Sequence, residues 1–225
     1  MKANIHVAIL AFLVVVFPAA QAAAQGAPVP DRGAEVAVRT GLALPFGDTD
    51  ANNSFDQYAS SAIPLVVEAG FRVDSHLFLG GRFGYAFANV KNPGGLCTNN
   101  TSCGGAVVTL GIEGIYRLMP EETFAPWLGL GLGYDWTSVD VTTQNANFGG
   151  SATYSGFQGI LMAGGDYRVN QQLVLGPAVE ASFGRFDTVA SEVRTGLGTT
   201  SNEMDITDTA WHTWVTLGIR GAWGF

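Results

Sequence analysis

The chain has 225 residues, 47% of them hydrophobic and only 13% charged, with 19 acidic against 11 basic side chains. That negative excess repels nucleic acid and leaves no basic stripe to bind it, which excludes that class of partner. A composition this apolar belongs either to a densely packed soluble core or to a membrane barrel, and periodicity separates the two.

Residues 1–24 have the three-part pattern of a secretory signal peptide. Lys2 precedes an uncharged apolar run from Val7 to Phe17, then come Pro18 and a small-residue stretch. Cleavage is expected after Ala24, with Ala22 as second choice. The run is too short to cross a bilayer as a helix, which takes about 20 residues, and no cysteine marks a lipid anchor. Cleavage leaves ten basic residues against 19 acids, a formal charge of −9, and one domain's worth of chain.

From residue 34 onward apolar side chains recur at every second position, the period of a strand with one apolar face. The first segment places Val36, Val38, Leu42 and Leu44 on one face and Glu35 and Arg39 on the other. Ile63, Leu65 and Val67 oppose Glu68 and Arg72. Leu79, Phe83 and Phe87 oppose Arg82. Leu110, Ile112 and Tyr116 oppose Glu113 and Arg117. Leu128, Leu130 and Leu132 oppose Gly129, Gly131, Gly133 and Asp135. Phe157 and Leu161 oppose Gln158, Asp166 and Arg168. Leu175 and Val179 oppose Glu180. In the last segment Trp211, Val215, Leu217, Ile219 and Trp223 oppose His212, Trp214 and Arg220.

About eight strands result, and every charge within them falls on the non-apolar parity. A charge on a lipid face costs roughly 2–4 kcal/mol at the midplane, so lipid exposure demands this segregation. A soluble lipocalin-like barrel also alternates, but its polar face meets water. Here that face is mostly Gly and Ala, which suits the crowded interior of a narrow barrel.

Connections alternate between short ones (73–76, 119–125, 169–172) and long ones (47–60, 89–104, 140–153, 185–209), the outer-membrane habit of short periplasmic turns and long outer loops. An inner aromatic girdle is expected from Phe71, Tyr116, Tyr167 and Trp223. An outer one is expected from Phe46, Phe87, Trp136, Phe157, Phe183 and Trp211. The reading is an all-β, eight-stranded antiparallel up-and-down transmembrane barrel over 34–225. It follows a periplasmic segment over 25–33, and an even strand number leaves both termini periplasmic. Pro177 lacks a ladder donor inside a strand and predicts a bulge there or a shifted boundary.

The alternating final strand WVTLGIRGAWGF, ending on Phe225 with Trp223 on the same parity, resembles the small outer-membrane β-barrels of Gram-negative bacteria, the OmpA-, OmpX- and OmpW-like class. Gly221 interrupts the usual apolar run. The resemblance implies that Phe225 and Trp223 are an assembly signal read by the barrel-assembly machinery. It also implies that the chain is a monomer among outer-membrane lipid and lipopolysaccharide, with no cofactor.

Arg39, Glu68, Arg82, Glu113 and Arg220 lie at similar depth on adjacent strands and are expected to form a lumen ion-pair network, since buried opposite charges offset each other's desolvation. The network either holds a narrow barrel closed or gates a small conductance. Cys97 and Cys103, both in one outer loop of an exported chain, read as a disulfide. Acids dominate the outer loops (Asp48, Asp140, Asp187, Glu192, Glu203, Asp205), without ordered calcium-loop spacing; no metal site is expected.

Lipid A-modifying enzymes of this size need a histidine set near the outer leaflet. His76 lies in a periplasmic turn, and His212-Thr213-Trp214 does not match the His-x-Ser pair of a lipid A deacylase. The expected function is therefore a non-enzymatic barrel presenting its outer loops, with at most a small gated passive pore. The alternative is an OmpW-like conduit for small or hydrophobic molecules. Trp127, Met162 and Trp214 on the inward parity favour a plugged interior.

Overall fold

A computed structural model describes residues 32–50, 53–55, 59–91, 101–143, 149–196, 198–207 and 209–225. The signal-peptide segment and Cys97 fall outside these residues. The strands are β1 (Gly33–Asp50), β2 (Asn53–Ser54), β3 (Ala59–Arg72), β4 (Leu77–Val90), β5 (Thr101–Arg117), β6 (Phe124–Thr143), β7 (Gly149–Arg168), β8 (Leu173–Thr195), β9 (Gly198–Asp205) and β10 (Trp211–Gly224).

Eight of them close an antiparallel barrel in the order β10-β1-β3-β4-β5-β6-β7-β8, and β8 pairs back onto β10. Closure leaves the barrel wall no free edge. β2 and β9 are small additions at the loop end, paired with β1 and β8 respectively.

The alternation in sequence becomes the two faces of the wall. Leu130 and Phe157 are 66% and 70% exposed on the outside, while Glu68 and Arg220 are 0% exposed within. A contiguous belt of exposed Leu, Ile and Phe side chains would be a liability in water and matches lipid hydrocarbon. Among the described residues no helix is long and apolar enough to cross a membrane; the strands supply the crossing. The expected girdle aromatics Phe71, Tyr116, Tyr167, Phe46, Phe87, Trp136, Phe157, Phe183 and Trp211 all project outward.

Two short turns at the terminus end share one device. Asp74 accepts the amides of His76 and Leu77, both at 2.8 Å, and Asn170 accepts those of Gln172 and Leu173, both at 2.8 Å. A short Asx side chain that satisfies the turn's own amides fixes a tight reversal.

At the opposite end the structure departs from the sequence reading. Stretches expected as loops continue the ladders: β6 and β7 stay paired out to Thr142 and Gly149, and β8 runs to Thr195 before turning back as β9. β-Branched residues such as Val139, Val141, Val189 and Val193 favour extended pairing there.

Pro177 also departs from expectation. It causes no bulge and lies opposite Ile219 of β10 in an unbroken register. On the β7 side the same register holds from Gly164–Ala178 to Tyr167–Leu175, and only the two intervening pairs are missing. The absent proline donor thus costs a gap in one ladder rather than a shift.

Candidate functional site

The described charged side chains that point inward at the terminus-end half of the barrel meet in one network. Arg39 from β1 donates through Nε to Glu68 of β3 at 2.9 Å and through Nη1 to Glu180 of β8 at 2.6 Å. Its Nη2 also contacts Glu68. Arg82 from β4 donates to both oxygens of Glu180, at 2.9 and 3.1 Å.

Arg220 from β10 is the hub. It donates to Glu68 at 3.0 Å, Asp166 at 3.1 Å and Glu35 at 3.0 Å. Arg117 donates to both oxygens of Glu35, at 2.6 and 2.9 Å, and Arg72 pairs with Glu35 at 3.0 Å. Glu113 lies 3.5 Å from Arg39 and 3.7 Å from Arg82 without accepting a hydrogen bond.

Five arginines (39, 72, 82, 117, 220) therefore face five acids (Glu35, Glu68, Glu113, Asp166, Glu180), and formal charge cancels. Cancellation together with multiple charge-assisted bonds is what allows so many ions to leave water.

All five residues singled out in the sequence stand in this network. Sequence reasoning missed Glu35, Arg72, Arg117, Asp166 and Glu180 as members. They share the inward parity, but their depth depends on strand stagger and side-chain reach, which linear spacing does not reveal.

An apolar wedge fills the space beside the ions. Phe78, Ile115, Trp127, Ile160, Met162 and Ala178 are buried together. Trp127 ties the wedge to the charges: its Nε1 donates to Asp166 at 3.0 Å, and Arg220 Cζ lies 5.5 Å from its ring centroid. Inward glycines provide the room. A Cβ on Gly164 would come within 2.4 Å of the Trp127 ring.

Towards the terminus end the network opens into a cavity of about 470 Å³ bordered by Glu35, Arg72, Arg117 and Asp166. Towards the loop end the lumen turns apolar. Ala43, Ala62, Ala86, Val107, Phe186 and Trp214 line it, and Phe55, which follows β2, closes it. The Phe55 ring sits edge-on to Phe186 (6.0 Å), His212 (5.4 Å) and Trp214 (5.0 Å). His212 stacks on Phe186 at 3.9 Å and is fully buried, 3.7 Å from Asp135. Phe55 carried no signal in the sequence beyond being one aromatic in a polar loop.

The remaining candidates are scattered. Phe225 donates its amide to Ala34 at 2.8 Å, and its side chain is exposed beside the closing seam. Trp223 lies opposite Val36 of β1. Cys103, expected in an outer loop, instead lies within β5 opposite Val141. His76 stacks on Tyr116 within its turn.

A closed eight-stranded wall with an apolar exterior, a charge-neutral ionic plug and an aromatic cap defines a small membrane-spanning β-barrel. No family model matches the sequence, and no curated protein is similar to it. Among solved structures the chain is similar to a major outer membrane protein from Thermus thermophilus (TM-score 0.59, 16% identity, 85% of this chain and 99% of that one). Neisserial surface protein A aligns with TM-score 0.49 and 14% identity over 88% of this chain and 100% of that one. Ail of Yersinia pestis aligns with TM-score 0.42 and 12% identity over 85% and 99%. At 16% identity the likeness to the Thermus thermophilus protein shows the fold alone.

Proposed function

We propose that the chain is a non-enzymatic outer-membrane barrel that displays its extended β6–β9 hairpins outside the cell, with its lumen held shut by the ion network. The carrying observation is Arg220, fully buried and bonded at once to Glu35, Glu68 and Asp166. Three acids from three strands gathered on one cation tie the wall together across the lumen and leave no aqueous path at that level.

The signal peptide exports the chain, both termini lie in the periplasm, and Cys97 bridges Cys103 of β5. The barrel is a monomer that sits among lipid and lipopolysaccharide. His212-Thr213-Trp214 lacks the serine of a His-x-Ser pair, which speaks against lipid A deacylation.

The test is single-channel recording on the refolded mature barrel in a planar bilayer. The wild type is expected to be silent or to open rarely. Glu68→Ala and Arg82→Ala each release part of the network and are expected to raise open probability. Unchanged current in both variants removes any gating role from the ions.

The apolar upper lumen favours a second reading, a conduit for small hydrophobic molecules. The walls from Ala43 to Trp214 suit an apolar solute better than an ion. Uptake of a hydrophobic dye by proteoliposomes would separate it from the closed barrel.

A further inference from the structure

We propose that the aromatic box at the loop end of the lumen is a binding site for a small hydroxylated aromatic molecule, a simple phenol, which takes the place now held by the ring of Phe55. This goes beyond the closed-barrel reading and does not depend on conductance.

The box is already shaped to a single ring. Phe55 is 2% exposed and edge-on to Phe186, His212 and Trp214 at once, each within 6.0 Å between centroids. Edge-to-face packing on several sides is how an aromatic guest is gripped. Beneath it, Ala43, Ala62 and Ala86 are small and apolar, and Arg82 and Glu180 close the floor.

Phe55 fills this box imperfectly. Asp135 Oδ1, both ring nitrogens of His212 and Trp214 Nε1 are buried with no hydrogen-bond partner among the described residues. Buried polar groups are ordinarily paired, and leaving several unpaired in one place carries a desolvation cost. A hydrocarbon ring offers them nothing. A phenolic hydroxyl donates to Asp135 or to a His212 nitrogen and accepts from Trp214 Nε1–H. The site thus combines apolar walls with a few convergent polar groups, the usual make-up of a small-molecule pocket. An alkane satisfies neither the ring geometry nor the polar atoms.

The experiment uses the refolded mature protein in micelles and fluorine NMR of 4-fluorophenol, with fluorobenzene as the analogue lacking the hydroxyl and protein-free micelles as baseline. Phe55→Ala is expected to bind 4-fluorophenol saturably and about tenfold more tightly than wild type, which must first expel its own ring. It is also expected to prefer 4-fluorophenol to fluorobenzene by about tenfold, the scale of one buried hydrogen bond. Trp214→Phe in the same background keeps the ring and removes the donor, and should shrink that preference.

Phe55→Leu serves as the milder variant if the alanine protein does not refold, as judged by heat-dependent gel mobility. A folded variant with no saturable signal above micelles overturns the site. Equal affinity for the two probes overturns the phenol and leaves only a hole made by the mutation.

Discussion

Arg220 and Glu68 face each other across the β10–β1–β3 wall with neither side chain reaching solvent, joined by a 3.0 Å bond from Nε to Oε2. Removing one partner of a buried pair strands the other charge. Arg220→Met is therefore expected to lower the unfolding free energy by about 3–5 kcal/mol. Glu68→Gln added to Arg220→Met should cost less than the two single changes summed, since the second removes an acid that the first leaves in excess, bonded to Arg39 alone. Denaturant titrations of the four proteins in micelles, followed by tryptophan emission, give the coupling. Strict additivity would mean that the network is not one unit.

Two glycines of β7 test the interior against the exterior. At Gly164 an added methyl would meet the Trp127 ring at 2.4 Å and the carbonyl oxygen of Pro177 at 2.6 Å, while at Gly159 it meets nothing within 4 Å. Gly164→Ala is expected to destabilise by about 1–3 kcal/mol, because a ring and a backbone carbonyl must both move. Gly159→Ala should be neutral or stabilising by up to about 1 kcal/mol through the unfolded chain. The same denaturant midpoints distinguish them.

The division of residues between wall exterior and lumen was legible from parity alone, because a two-residue period is fixed by the pleat and survives any stagger. That placed Arg39, Glu68, Arg82, Glu113 and Arg220 on one side of the wall. Their partner Glu180 was on the correct face too, but its link to Arg39 spans 141 positions of sequence and depends on how the barrel closes. The extended hairpins were read as loops because Gly, Ser, Thr and Asn dominate them, and those residues suit turns as readily as solvated strands. Phe55 was illegible for a different reason. A side chain that caps a lumen from a loop obeys no period.

Asp74 provides a pH-dependent test outside the membrane-spanning strands. The amides of Leu77 and His76 bond to its carboxylate and hold its pKa below the ordinary aspartate range. A folded value below the unfolded one means that the stabilisation is present above the unfolded value, about 4. It is lost as pH falls through the lower folded value. Asp74→Asn keeps an acceptor, as Asn170 does in the sister turn, and should remove the share of the pH dependence that Asp74 contributes while preserving the turn. Asp74→Ala should lose both. The difference in denaturant midpoint between pH 7 and pH 3, compared across the three proteins, reads this directly. Equal slopes in wild type and Asp74→Asn would show that the turn carboxylate contributes nothing.

The last residue separates stability from assembly. Phe225 adds one backbone bond, from its amide to Ala34, while its side chain lies exposed on the outside. Little stability is at stake, since an exposed ring and one terminal bond are worth about 1 kcal/mol. Its proposed role as a signal for the assembly machinery predicts a much larger effect in the cell. Deleting Phe225 should leave refolding in detergent nearly unchanged and sharply reduce the heat-modifiable barrel recovered from outer membranes. Trp223→Ala, on the same face, should reduce it further. Normal membrane levels of the Phe225 deletion would make the terminal aromatic a passenger. Equal losses in the cell and in detergent would make it a structural residue of the β1–β10 seam.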